Sequence, residues 1–543
     1  MKRALAAVAL TALAVVLIRN SHSGDFTTIL TRSESLSDAP PLRQSEFSPP
    51  AFNESTYIFN AVHNQLRHVG NAMAPNGMTF TPGFVPPGTV LYHGMNRKEL
   101  PQDLDWFAFD PEYSFTMCCN IGHAFGNPHI TTAQVVEPLK IVYIDGASAS
   151  LSSDLGTMDS QGFLLDDPID TWNDYTEFAR GDRLCRLFKE NGFKLDGFVR
   201  MNTGFELLMC NMTNPKVEYV MNNAIAVSEE EGTAGLMKRS SFEVGQTFLS
   251  RDRFGNLLVR PSREFNFFDY DWVKSMERTH SSAGEERVEL DYRGLVTIYG
   301  MEGSRDIDFP KNVSQHRLLT GSEALRQELR SQLWEADKHT RTYDPYRINW
   351  RTVTDNLVYK MAPILAQIKN GLGQLEAGTS SLNDTSKHLG GITSMLRLRF
   401  EGDEELANST RHDVDAQVER CAKTYASDFH KYDVTPFEEK VRFAIRLVST
   451  AVCSVIMETA DWANKVQTRV GNVSEELPSK LHADVSDLIS DLNWSYFVSC
   501  THRCKDNEVC YLPTWPHGGR EPHIPAEPLQ CRTIEDLRKS RGL

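Results

Sequence analysis

Two stretches decide how this chain is read: Gly88–Met95, GTVLYHGM, and Leu195–Cys210, LDGFVRMNTGFELLMC. Both are rich in Val, Leu, Phe and Met and bounded by Gly, Asp or Asn, the composition of buried strands. His93 interrupts the first and Glu206 the second. They are either two halves of a catalytic site, or a turn histidine beside a glycine and a glutamate at a sheet edge.

Around them, residues 51–226 carry further short apolar runs: WFAF from Trp106, LKIVYID from Leu139, FVRM from Phe198 and FELLMC from Phe205. A helix is expected at Ser55–Arg67. The runs are short and irregularly spaced, which fits an α+β domain with a mainly antiparallel, mixed sheet better than a βαβ repeat. Residues 227–321 read as an irregular connecting region with weak strand signals at LLVR and LVTIYG. From Ser322 the period becomes helical. Val353, Leu357, Met361, Ile364, Leu365 and Ile368 share a face, and Pro363 is expected to kink that helix. Thr435, Pro436 and Glu438 form a capping box that starts a second long helix. A third carries Leu481, Val485, Leu488 and Leu492. The expectation is a helical module over 322–495, separate from the sheet, then a cysteine-rich tail, 496–543.

The N-terminus speaks to compartment. Lys2 and Arg3 precede an apolar run from Ala4 to Ile18, followed by Arg19 and small polar residues, the layout of a secretory signal over 1–23. The run is short for a membrane span, which needs about 20 apolar residues. Secretion after cleavage is therefore the first expectation and an uncleaved type II anchor the alternative. Residues 24–50, rich in Ser, Thr and Pro, read as a polar linker. The apolar segment Val441–Met457 contains Arg442 and Arg446 and reads as a buried helix, not a span.

Seven N-x-S/T sequons, at Asn53, Asn211, Asn312, Asn383, Asn408, Asn472 and Asn493, agree with export and expected glycosylation. The ten cysteines are an even number, which an oxidising compartment would pair. The formal charge of -15 becomes -18 when Lys2, Arg3 and Arg19 leave with the signal. An acidic chain without a basic block is a poor nucleic-acid binder.

The tail gathers Cys500, Cys504, Cys510 and Cys531 with His517 and His523, the elements of a zinc site but without paired C-x-x-C spacing. Disulfides are the preferred reading, and no metal site is assigned. Cys185 with Cys210, and Cys421 with Cys453, are candidate further pairs; adjacent Cys118 and Cys119 are poorly placed to bond to each other. The chain has no G-x-S-x-G elbow, P-loop, H-E-x-x-H or kinase motif. Asp166 and Asp167 read as solvated loop carboxylates.

The blocks EYSF, LKIVYIDGASASLSSDLGTMDSQGFLL, GDRLCRLFKENGFKLDGFVRMNTGFELLMCN and CTHRCKDNEVCYLPTWPHGG together resemble a family of uncharacterised secreted proteins of filamentous fungi. That resemblance spans most of the mature chain and implies no activity. More distantly, LYHG at Leu91–Gly94, WFAFDPEYS from Trp106, and a DG strand followed by a strand bearing Glu206 look like the ADP-ribosyltransferase fold. This second resemblance implies NAD as cofactor and three roles. His93 would orient the ribose and nicotinamide amide, Tyr113 would stack on nicotinamide, and Glu206 would bond the ribose hydroxyl. Tyr92 and Gly94 would lie beside the cofactor, and Glu206 would stabilise oxocarbenium character at the glycosidic carbon. The pattern of two glutamates flanking one residue is absent, since Phe205-Glu206-Leu207 offers one.

Two functions follow as expectations: an NAD-consuming secreted enzyme, transferase or glycohydrolase, or a non-catalytic secreted or cell-surface glycoprotein acting as a binding or structural module. Geometry separates them. Catalysis requires His93 and Glu206 in one cleft within about 10 Å across a nucleotide-sized pocket; opposite faces of the sheet would exclude it.

Overall fold

The apolar runs become strands of a single sheet: β1 (Asn76–Val85), β2 (Val90–Met95), β3 (Asp105–Ala108), β4 (His129–Val135), β5 (Leu139–Gly146), β6 (Gly197–Met201), β7 (Phe205–Met209) and β8 (Val217–Ala224). A hairpin, β9 (Phe248–Arg251) and β10 (Leu257–Arg260), forms a separate two-stranded sheet among the described residues. Then β11 (Glu289–Leu290) and β12 (Val296–Thr297) return to β1. The order is β11-β1-β5-β6-β7-β3-β2-β4-β8, with β12 also beside β1. Among the described residues only β5 and β6 pair in parallel, which the long helical crossover between them permits; the other described ladders are antiparallel. The expected mainly antiparallel, mixed sheet is therefore what forms, and the fold is α+β.

The computed structural model describes residues 52–536 except 120–128, 151–155, 170–176, 225–247, 252–256, 261–266, 280–283, 403–412, 427–433, 470–475, 515–528 and the single positions 96, 499, 501, 513 and 534. The signal and linker readings (1–23, 24–50), Asn408, Asn472, His517, His523 and the side chains of Cys118 and Cys119 lie outside the described residues.

Among the described residues six helices accompany the sheet: α1 (Phe52–His63), α2 (His68–Met73), α3 (Pro111–Cys119), α4 (Asp159–Leu165), α5 (Glu177–Glu190) and α6 (Phe267–Met276). Six more are described after them: α7 (Glu323–Thr340), α8 (Trp350–Glu376), α9 (Leu382–Phe400), α10 (Val414–Tyr425), α11 (Pro436–Thr468) and α12 (Leu477–Leu492). Helix α8 continues across Pro363. Among the described residues one helix, α11, is long and apolar enough to cross a membrane, but 61% of its apolar window is buried within the fold. Val441, Ile445, Val448, Val452 and Ile456 on it are fully buried, and α1 packs along it through the same core as the sheet.

That continuity corrects the expectation of a separate helical module. Ile58 and Phe59 of α1, Phe80 and Ile141 of the sheet, and Leu365 and Ile456 of the late helices belong to one buried cluster. The region taken as an irregular connector supplies β11 and β12, so it is part of the sheet. Residues 50–543 form one compact unit.

Among the described residues four disulfides staple this unit. Cys421–Cys453 joins α10 to α11, and Cys185–Cys210 joins α5 to the end of β7. In the tail, Cys500–Cys510 and Cys504–Cys531 hold a hairpin of β13 (Glu508–Tyr511) and β14 (Gln530–Thr533). The sulfurs of Cys500, Cys504 and Cys531 lie within 4.8 Å of one another, and each is spent in a disulfide.

The capping box at the start of α11 is formed. Glu438 N donates to Thr435 Oγ1 at 3.3 Å and Thr435 N to Glu438 Oε2 at 2.9 Å, while Trp350 Nε1 donates to Glu438 Oε1 at 3.1 Å. Thr435 Oγ1 also donates to Arg293 O at 3.0 Å, so the cap ties α11 to the sheet side. Thr435→Ala is expected to cost about 1–2 kcal/mol, measured as a lowered urea midpoint with an unchanged slope.

Candidate functional site

The hairpin of β6 and β7 turns at Asn202-Thr203-Gly204, and its register sets Arg200 opposite Glu206. Glu206 also pairs with Ala108 of β3, and Ala108 pairs with Tyr92 of β2. Paired residues of an antiparallel ladder share a face, and neighbours along a strand alternate. Tyr92, Ala108, Arg200 and Glu206 therefore point to one face. His93 points to the other, with Asp105, Phe107 and Tyr219 of β8.

On the Glu206 face a buried polar network is complete. Glu206 Oε1 accepts from Arg200 Nε at 3.0 Å and Nη2 at 2.5 Å, and Oε2 accepts from Tyr113 Oη at 2.6 Å. Arg200, wholly buried, also donates to Glu177 Oε1 at 2.5 Å and Gln161 Oε1 at 3.3 Å. Asn202 Nδ2 donates to the Tyr113 hydroxyl oxygen, and Asn202 Oδ1 accepts from Gly204 N at 3.0 Å, which fixes the hairpin turn. Burial acts to lower the basicity of Arg200, but the Glu206 and Glu177 carboxylates prevail and hold it above its ordinary value. Burial raises Glu206 despite the guanidinium beside it, and burial and then Glu206 raise Tyr113, so its hydroxyl keeps its proton.

The tyrosine is closed on both sides. Trp106 stacks on one face, with centroids 5.1 Å apart and planes at 21°, and Trp272 of α6 on the other, at 4.4 Å and 19°. An aromatic ring between two indoles has no face left for nicotinamide.

His93 is only 2% exposed. Its Nδ1 donates to Trp106 O at 2.7 Å; its Nε2 has no hydrogen-bond partner among the described residues and lies 3.9 Å from Asp105 Oδ2. Gly94 is an ordinary strand position paired with Ile130. The structure thus brings Tyr113 and Glu206 into contact, sets Tyr92 on their face, and places His93 on the opposite face by register, its ring meeting Trp106 edge-on with centroids 5.5 Å apart so that the Trp106 indole stands between it and Tyr113. Glu206 is not at a sheet edge, because β7 lies between β6 and β3. The ascribed NAD geometry, with His93 and Glu206 in one cleft, is corrected by the strand register.

Sequence reading passed over Arg200, Glu177, Gln161 and Asn202. A signal for the first was present: Arg200 and Glu206 stand symmetrically about the Asn202–Gly204 turn, one charge of each sign in two apolar runs. A tight hairpin makes such residues cross-strand partners.

A second buried cluster joins α1 to α8. His63 Nδ1 donates to Asp355 Oδ1 at 2.8 Å, and Arg67 Nη2 to Asp355 Oδ2 at 2.6 Å. Burial, opposed by the Asp355 hydrogen bond, lowers His63 to about 4. The shared Asp355 carboxylate fastens α8 to the end of α1 and the turn after it.

Residues 47–131 and 122–241 match the family model described as the YPL277C N-terminal domain. The chain is similar to two proteins of Saccharomyces cerevisiae. One, Uncharacterized protein YOR389W, is 24% identical, with 93% of this chain and 93% of that protein covered. The other, Uncharacterized protein YPL277C, is 26% identical, with 59% of this chain and 76% of that protein covered. No solved structure matches. The likeness is therefore to an uncharacterised fungal family, here through yeast relatives, and it lends no support to the ADP-ribosyltransferase resemblance.

Three outcomes follow. Glu206→Gln leaves the buried Arg200 with one carboxylate, Glu177, and is expected to cost about 3–5 kcal/mol, whereas Arg200→Met with Glu206→Leu costs less than that single change; denaturant unfolding measures both. His93→Asn and Glu206→Gln should couple by about 0.5 kcal/mol or more in a double-mutant cycle, because both reach Trp106: His93 Nδ1 donates to its carbonyl, and Tyr113, which bonds Glu206, stacks on its ring. The folded-state value of His63 lies below its unfolded one, so the unfolded chain binds the extra proton. The stability it contributes is present above about pH 6.5 and is lost as pH falls toward 4. Histidine-ring NMR should find His63 neutral down to about pH 4.

Proposed function

We propose that this protein is a secreted glycoprotein without a catalytic centre in its sheet, acting as a binding or structural module. The observation that carries this reading is the closed Arg200–Glu206–Tyr113 network. Its carboxylate, guanidinium and phenol are satisfied by one another, its aromatic ring lies between two indoles, and His93 faces away. A catalytic carboxylate needs a reactant within hydrogen-bond reach, and Glu206 is 3% exposed.

Export is supported by the signal-like N-terminus, the four disulfides and the disposition of the sequons. Asn53, Asn211, Asn312 and Asn383 are exposed. At Asn211 and Asn312 the hydroxyl two residues on donates to the asparagine Oδ1, at 2.6 Å from Thr213 and 2.8 Å from Ser314, leaving Nδ2 for a glycan. Asn493 is half-buried, and Ser495 of its sequon is buried against Asn64 at 2.9 Å.

Expression of the full chain in a yeast secretory host tests this. The protein should appear in the medium, lose mass on peptide N-glycosidase treatment, and lose part of that shift in Asn211→Gln and in Asn312→Gln. Asn493→Gln should leave it unchanged. Retention in carbonate-washed membranes would favour the type II anchor, and an unglycosylated, thiol-reduced chain in the cytosol would overturn the reading. Purified protein incubated with NAD should release no nicotinamide; release that Glu206→Gln abolishes would restore the enzyme reading.

A further inference from the structure

Two of the disulfides differ from the others in what lies beside them. The sulfurs of Cys500, Cys504 and Cys531 lie within 4.8 Å of one another although they belong to two separate bonds, Cys500–Cys510 and Cys504–Cys531. Among the described residues no third cysteine sulfur comes this close to Cys185–Cys210 or Cys421–Cys453. The hairpin register adds the fourth residue, because Cys510 of β13 stands directly opposite Cys531 of β14. A thiolate attacks from about 3–3.5 Å, so a side-chain movement of about 1–2 Å would let a sulfur of one bond reach the other bond.

Exposure decides where such a reaction starts. Cys504 and Cys531 are both half-buried, so a thiol in solvent can reach either end of their bond. Cys510 is 8% exposed and packs with Leu512 against Val69, Ala72 and Met73 of α2, which leaves Cys500–Cys510 behind it. Cys421 and Cys453 are fully buried.

We propose that the tail is a thiol–disulfide exchange site for a small external thiol of the glutathione class, at which the two disulfides rearrange as a unit. The external thiolate bonds to Cys504 Sγ, the Cys504–Cys531 bond breaks, and its electron pair leaves on Cys531. That thiolate bonds to Cys500 Sγ, and Cys510 leaves as thiolate from the broken Cys500–Cys510 bond. Cys510 then bonds to Cys504 and expels the external thiol. No electrons are gained or lost overall, and the thiol acts as catalyst. Attack at Cys531 instead frees Cys504, which displaces Cys510 from Cys500 in the same way, and Cys510 closes on its cross-strand neighbour Cys531. In either route Cys500 lets go of β13. Because Cys500 and Cys504 also pack beside α2, the rearrangement changes how residues 500–507 are tied against that helix.

Trypsin cuts after Arg503, Lys505, Arg520 and Arg532 and so puts each of the four cysteines in its own peptide. The test incubates the purified, oxidised full chain with reduced glutathione, quenches with N-ethylmaleimide and maps the linked peptides by mass without reduction. Links from Cys500 to Cys531 or Cys504, with the complementary link from Cys510, are expected only when thiol is present, while Cys185–Cys210 and Cys421–Cys453 stay native. Cys510→Ser leaves Cys500 as a thiol beside Cys504–Cys531 and should form the same Cys500 links with no thiol added. Three results would overturn the proposal: no change in any link, reduction of the tail without a rearranged link, or links between the tail and cysteines outside it, which report general unfolding. The map of the unmutated chain decides alone where Cys510→Ser does not fold.

Discussion

The Arg200–Glu206 pair is the constraint on which the centre of the sheet depends. A guanidinium and a carboxylate removed from water are each costly, and they persist only where geometry and further hydrogen bonds are complete. Here completion requires Tyr113 from α3, Glu177 from α5, Gln161 from α4 and Asn202 from the hairpin turn. One pair in one hairpin thus ties three helices to two strands. It also specifies register, because a one-residue slip would turn both charges to the opposite face.

The same completeness bears on function. Catalytic groups are commonly left under-satisfied toward a cleft, so that a reactant finishes the set. Around Glu206 the protein finishes the set itself. The indoles of Trp106 and Trp272 then exclude both water and ligand from Tyr113.

Stability is distributed so that no half of the chain stands alone. Helix α1 reaches the late helix α11, β11 and β12 close onto β1, and the tail hydroxyl of Thr514 lies 2.9 Å from Thr203 in the β6–β7 turn. Disulfides add local staples between α10 and α11, between α5 and β7, and within the tail. Such long-range closure explains why boundaries drawn from changes in hydrophobic period, near 226 and 322, mark changes of element type and not edges of cores.

Much of the local structure was legible without coordinates. The runs at Val90, Trp106, Leu139, Phe198 and Phe205 are strands, the capping box at Thr435 starts a helix, and the apolar body from Val441 is buried, because each rests on interactions within a few residues. The roles of His93 and Glu206 were not legible. Both sit in apolar strands, and composition cannot say which face a residue takes when the partner strand is a hundred residues away. The chain by itself determined the elements, the α+β class and the presence of buried polar residues among apolar ones. Only the tertiary structure decided that Glu206 meets Arg200 and Tyr113 while His93 faces the other way, because strand order and register are set by pairing between distant segments, and side-chain alternation turns one residue of offset into opposite faces.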